Sequence, residues 1–75
     1  MQAFILLSCE IAAENEVLQA IKKIEGVREA TMTYGGYDIV AKIETESGKK
    51  MEDIIVKQVR RLQKVRSTVT LNVTD

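Results

Sequence analysis

The sequence predicts an α+β domain in the order βαββαβ: a four-stranded antiparallel sheet carrying two helices on one face. Three observations lead there. A short apolar run opens the chain, two stretches have helical periodicity, and three more runs alternate or end in turn glycines. Seventy-five residues suffice for one small domain, and 45% of them are hydrophobic, enough for a core and an interface.

Residues 3–9, AFILLSC, are apolar on both faces and too short for an independent helix, which reads as a central strand. From Ala12 to Glu25 the spacing of Val17, Ile21 and Ile24, flanked by Leu18 and Ala20, predicts an amphipathic helix. Acidic residues begin it, lysines end it, and Gly26 stands where a left-handed cap is wanted. VREATMTY and YDIVAKIE follow as two strands joined by Gly35 and Gly36, a hairpin. After the polar loop TESGKK, Met51–Lys64 has helical period, with Met51, Ile54, Ile55, Val59 and Leu62 on its inner side. VRSTVTLNV then alternates, and its apolar set, Val65, Val69, Leu71 and Val73, is expected to face the core with Ser67. Arg66, Thr68, Thr70 and Asn72 are expected on the other face. The two halves are similar: KKIEGVREATMT has a counterpart in RRLQKVRSTVTL. Right-handed crossovers then give the ferredoxin-like arrangement, whose bare sheet face a second copy would cover.

Composition narrows the function. Eleven basic and eleven acidic residues give a net charge of zero, unlike a domain that holds nucleic acid through clustered positive charge. There is no histidine and one cysteine, Cys9, so neither an internal disulfide nor a Cys/His zinc site is expected. No metal or cofactor is implied. The first seven apolar residues are too few for a signal peptide or a membrane span, and a cytoplasmic protein is the expectation. The aromatics are Phe4, Tyr34 and Tyr37, too sparse for a base-stacking RNA platform. The basic group Lys57, Arg60, Arg61, Lys64 and Arg66 reads as a solvated helix end. No nucleophile stands beside a base, so catalytic residues are not expected.

What remains is YGGYD, Tyr34–Asp38. It is either an ordinary hairpin turn or a clamp: open backbone N–H groups suit a carboxylate and Asp38 suits an ammonium group. The hydroxyls of Ser67, Thr68 and Thr70 could complete such a site.

These phrases carry a resemblance. AFILLSC, VLQAIKKIEGVREA, TYGGYDIVAKIE and VRSTVTLNV, in this order, make the chain similar to the ligand-binding half of the Lrp/AsnC (feast/famine) transcriptional regulators, the RAM domain. The most specific element is G-x-Y-D, carried by Gly35 or Gly36, Tyr37 and Asp38; the second is S-T-x-T, carried by Ser67, Thr68 and Thr70. One departure is Lys64-Val65, where the family usually has Gly-Val. The resemblance implies an ACT-like fold that dimerises and assembles into rings, with amino-acid effectors bound between subunits. It places ligand contacts at Tyr34, Gly35, Gly36, Tyr37 and Asp38, with Ser67, Thr68 and Thr70 as the other wall. Residues 1–75 are expected to be one such domain without a helix-turn-helix, so direct DNA binding is not expected, while a full-length Lrp/AsnC regulator is a possible partner. Three functions stay open: an amino-acid sensor that oligomerises, a purely structural interaction module, and a small enzyme with a hydrophobic substrate.

Overall fold

A computed structural model describes residues 1–74. Its elements are β1 (Gln2–Cys9), α1 (Glu14–Lys22), β2 (Val27–Met32), β3 (Ile39–Glu44), α2 (Gly48–Ile54) continued by a π-helical turn (Ile55–Val59), and β4 (Val65–Asn72). The strands form one antiparallel sheet in the order β2-β3-β1-β4, as the βαββαβ order requires. Alternation sends Ala3, Ile5, Leu7 and Cys9 of β1 and Ile39, Ala41 and Ile43 of β3 to one face. Val17, Leu18, Ile21 and Ile24 pack on them from the first helical segment, and Met51, Ile54, Ile55 and Val59 from the second.

Both helices differ from their sequence expectations at the ends. The first is shorter, Glu14–Lys22, because Lys23 already closes it and Gly26, at φ +96, turns the chain into β2. A Cβ on Gly26 would stand 3.3 Å from the carbonyl oxygen of Glu44 and 3.2 Å from Ile54 Cδ1, so glycine is needed there for space as well as conformation. The second starts earlier, at Gly48, since the Ser47 hydroxyl accepts the Lys50 N–H at 3.2 Å as an N-cap. It ends at Val59, not Lys64: the Arg60 N–H donates to the Ile55 carbonyl at 2.9 Å, widening the last turn, and the chain leaves the helix there.

The larger correction concerns β4. Ser67, Val69 and Leu71 pair with Ser8, Leu6 and Phe4 of β1, all on the face away from the helices. The expected core face is therefore the open one, and Thr68, Thr70 and Asn72 lie on the helix side, opposite Leu7, Ile5 and Ala3. The cause is a β-bulge. Cys9 pairs with Val65 while Ser8 pairs with Ser67, so Arg66 is an extra residue that reverses the phase of the strand beyond it. Val65 alone of the apolar set packs against the core cluster. The open face thus carries Phe4, Leu6, Val40, Val69 and Leu71, with Leu71 50% exposed, a contiguous apolar surface on a chain of this size.

Candidate functional site

The hairpin between β2 and β3 is closed by the Thr33 N–H, which donates to the Asp38 carbonyl at 2.9 Å, and by the Thr33 hydroxyl, which donates to the Tyr37 carbonyl at 2.8 Å. Tyr34, Gly35 and Gly36 form its tip. The Tyr34 ring is fully exposed, Gly35 takes φ +115, and neither glycine has an atom within 4 Å of where a Cβ would stand. Their backbone groups are open to a ligand or to another subunit.

Asp38 does more than end the turn. Its N–H donates to the Leu7 carbonyl at 2.8 Å, and its Oδ2 accepts the Cys9 N–H at 2.8 Å, tying the hairpin to the end of β1. That N–H faces the β3 side, where the β1–β3 pairing ends at Leu7 and Ile39, so the Asp38 side chain supplies the acceptor that no further strand residue provides. The Cys9 thiol is pushed up in pKa by burial, then by the negative charges of Asp38 and Glu14, which keeps it protonated and unreactive.

Two clefts meet at Asp38. One, of about 500 Å³, lies on the helix side between the start of α1 (Ala12, Glu14, Asn15) and the hairpin (Met32, Thr33, Tyr34, Gly35, Asp38). Its charged lining is Glu14 and Asp38, an environment for a cation or an ammonium group. The other, of about 420 Å³, lies at the bulge and is lined by Ser8, Cys9, Asp38, Arg66 and Ser67. There a carboxylate and a guanidinium line one shallow space with two hydroxyls, and Arg66 has no ion-pair partner among the described residues. This set can meet both ends of a zwitterion.

Of the residues expected on the second wall, the structure brings only Ser67 to Asp38. Thr68 lies opposite Leu7 on the helix side, and Thr70 lines a separate cleft of about 260 Å³ with Met51 and Ile55 beside α2. Tyr37 is half-buried behind the turn. Arg66, Ser8, Glu14 and Asn15 were not legible as site residues: Arg66 reaches the site through the bulge, which the alternating sequence hides. Glu14 and Asn15 reach it through Ala12, whose φ of +67 swings the start of α1 toward the hairpin. Among the described residues, no three His, Cys, Asp or Glu side chains are grouped to hold a metal, and no helix is long and apolar enough to cross a membrane.

Residues 2–75 match the family described as the Lrp/AsnC ligand binding domain. The chain belongs to this family. A Pyrococcus furiosus HTH-type transcriptional regulator is 31% identical over 58 residues, 77% of this chain and 39% of the regulator, so the chain spans well under half of that relative. The crystal structure of FFRP-DM1 superposes with a TM-score of 0.90 at 31% identity, covering 93% of both chains. A Neisseria meningitidis transcriptional regulator, NMB0573, solved as an L-Met complex, superposes with a TM-score of 0.86 over 99% of this chain and 49% of its own. At 17% identity that likeness shows the fold alone. The matched part of the Lrp/AsnC proteins is their ligand-binding domain.

Proposed function

We propose that the chain is a non-catalytic amino-acid-binding and oligomerisation module, which modulates transcription of amino-acid metabolism genes indirectly through its state of assembly. The observation that carries this reading is the cleft where Asp38 and Arg66 stand with the Ser8 and Ser67 hydroxyls. Asp38, through its second oxygen, takes the ammonium group. Arg66 takes the carboxylate. The open backbone of Gly35 and Gly36, with Tyr34 and Tyr37, serves the side chain or a neighbouring subunit. The Neisseria regulator's L-Met complex supports an amino acid as the ligand class. The shallow form of both clefts supports a site completed by another subunit, and the apolar open face of the sheet supports dimerisation. A ligand held between subunits shifts the assembly by its difference in affinity for the two states.

Titration calorimetry with the twenty amino acids tests the ligand, and light scattering with and without the binder tests the assembly. Heat for at least one amino acid, lost in Asp38→Asn and in Arg66→Gln, is the expected result; no heat for any refutes amino-acid binding. A second reading rests on the committed oxygen of Asp38, whose bond to Cys9 is a structural role sufficient in itself. On it the chain is a purely structural interaction module, alone or with a full-length Lrp/AsnC regulator. Oligomers that form without any amino acid and ignore all twenty favour that reading.

A further inference from the structure

The second helical segment changes pitch beside β4. Its Met51, Ile54, Ile55 and Val59 turn to the core, while Glu52, Val56 and Arg60, spaced four apart, line the cleft of about 260 Å³ between this segment and β4. In a plain α-helix, eight residues would carry Arg60 about 80° round the axis from Glu52. The wider π-helical turn, Ile55–Val59, takes up much of that drift and sets the three side chains in line along the cleft. Turns of this kind are rare and recur at functional sites.

The floor comes from β4. The bulge at Arg66 turns Thr70 and Asn72 to this side, and among the described residues neither side chain forms a hydrogen bond. Register fixes the order along the cleft. Gly48, at the start of α2, lies against Met1, and Asn72 lies opposite Ala3, so Asn72 shares an end with Glu52. Thr70, opposite Ile5, lies one step nearer to Arg60. One end is therefore acidic and the other basic, and the wall between them is apolar, with Val56 42% exposed beside buried Met51 and Ile55. Among the described residues neither Glu52 nor Arg60 has an ion-pair partner.

We propose that this cleft binds a short extended peptide of about three residues, its ammonium end at Glu52 and its carboxylate end at Arg60. Spacing decides the ligand class. Glu52 and Arg60 are eight residues apart, about 12 Å along a helix that rises 1.5 Å per residue. A free amino acid carries both charges on one carbon and cannot meet both ends. Three extended residues span at most about 10–11 Å, and the two long side chains close the difference. Arg60 receives the carboxylate through paired N–H donors. The Asn72 amide oxygen joins Glu52 at the ammonium group, the Thr70 hydroxyl serves a peptide group between the ends, and Val56 contacts the central side chain. The cleft is smaller than the roughly 300–1,000 Å³ of sites for drug-sized ligands, which limits the peptide to a few residues. It lies on the helix side of the sheet and shares no residue with the cleft at Asp38 and Arg66, so it does not depend on the amino-acid reading above.

Backbone amide NMR during titration with the peptide Ala-Leu-Ala tests the site. Shifts grouped at Val56, Arg60, Thr70 and Asn72 are expected, and acetylating the amino end or amidating the carboxyl end should each weaken binding by about two- to fivefold, the range for exposed charge pairs. Arg60→Gln should abolish the preference for a free carboxyl end, and Glu52→Gln that for a free amino end. Both side chains are exposed, so the circular dichroism spectrum should not change. Leucine alone should leave the four residues unshifted, and Asp38→Asn, which removes the ammonium partner of the other site, should leave the affinity for the peptide as it was. The absence of grouped shifts with Ala-Leu-Ala, equal binding of the blocked peptides, or the same four residues shifted by leucine overturns the proposal.

Discussion

Removing the Asp38 carboxylate separates what this residue does for the fold from what it does for a ligand. Three hydrogen bonds converge at Asp38, and only one, from the Cys9 N–H to Oδ2 at 2.8 Å, uses the side chain. Asp38→Ala keeps the two backbone bonds and strands a part-buried N–H where the β1–β3 pairing ends. Bonds to a charged acceptor contribute about 1.5–3 kcal/mol. Because Asp38 is only half-buried and water can reach the vacated space, the lower end applies, about 1.5–2 kcal/mol. With a urea slope of about 1 kcal/mol/M for so small a domain, the unfolding midpoint should fall by about 1.5–2 M. Both proteins must be compared at one concentration, since assembly also stabilises. Asp38→Asn retains an oxygen acceptor and should recover about half of the loss, while abolishing attraction for an ammonium group. An Ala variant within about 0.5 kcal/mol of the parent, or an Asn variant as unstable as the Ala one, refutes the role assigned to this bond.

Ala12 holds φ +67 without glycine's freedom, so Ala12→Gly should raise stability by about 0.5–1 kcal/mol after the greater chain entropy of unfolded glycine is subtracted, as read by urea denaturation; a loss of stability refutes the strain. Glu44 accepts a hydrogen bond from Gln2 at 2.8 Å and stands 3.3 Å from Arg28, which together hold its carboxyl below the usual glutamate value. Its stabilisation is complete above that usual value and is lost as the pH falls through the lowered folded one. Acid titration of stability should therefore be flatter for Glu44→Gln across that window, and identical profiles refute the coupling. Phe4→Glu, in the middle of the open face, should reduce the assembled mass measured by light scattering while leaving the helix-side core intact.

The sequence made some elements legible because one physical cause governed them. β1 was legible as a central strand because its run is apolar on both faces, although only Ala3, Ile5, Leu7 and Cys9, and not Phe4 and Leu6, turn to the core. The stripe of Val17, Ile21 and Ile24 made α1 legible. β4 escaped because two causes compete. Its alternation is broken only by Ser67, yet the bulge at Arg66 reverses the phase between Val65 and Val69, and an edge strand facing a short helix tolerates threonines inward. The start of α2 was legible in principle through Ser47, whose capping role lies hidden in a loop rich in polar residues. YGGYD was legible as a hairpin tip, and the tie from Asp38 to Cys9 was not, since no local pattern links residues 29 positions apart. The same bulge that hid the faces of β4 also hid Arg66 from the site, so one backbone irregularity accounts for both misreadings.

The internal repeat shows why the departure at Lys64 is tolerated. Aligning EGVREATM with QKVRSTVT sets Gly26 against Lys64, and both take a left-handed backbone, φ +96 and φ +71. The same turn therefore feeds the edge strands β2 and β4, and the difference lies in what surrounds it. At Gly26 a Cβ meets the Glu44 carbonyl and Ile54, so a side chain has no room. Lys64 is exposed, and its side chain reaches Glu16 of α1 at 2.9 Å while its carbonyl accepts the Glu10 N–H at 2.9 Å. The lysine thus fastens the start of β4 to α1 and to the end of β1, on either side of the bulge that carries Arg66 toward Asp38. Glycine would relax the backbone more readily at this position. Lysine, strained but anchored, holds the bulge in place, and the charge pair proposed to receive an amino acid depends on where that bulge sits.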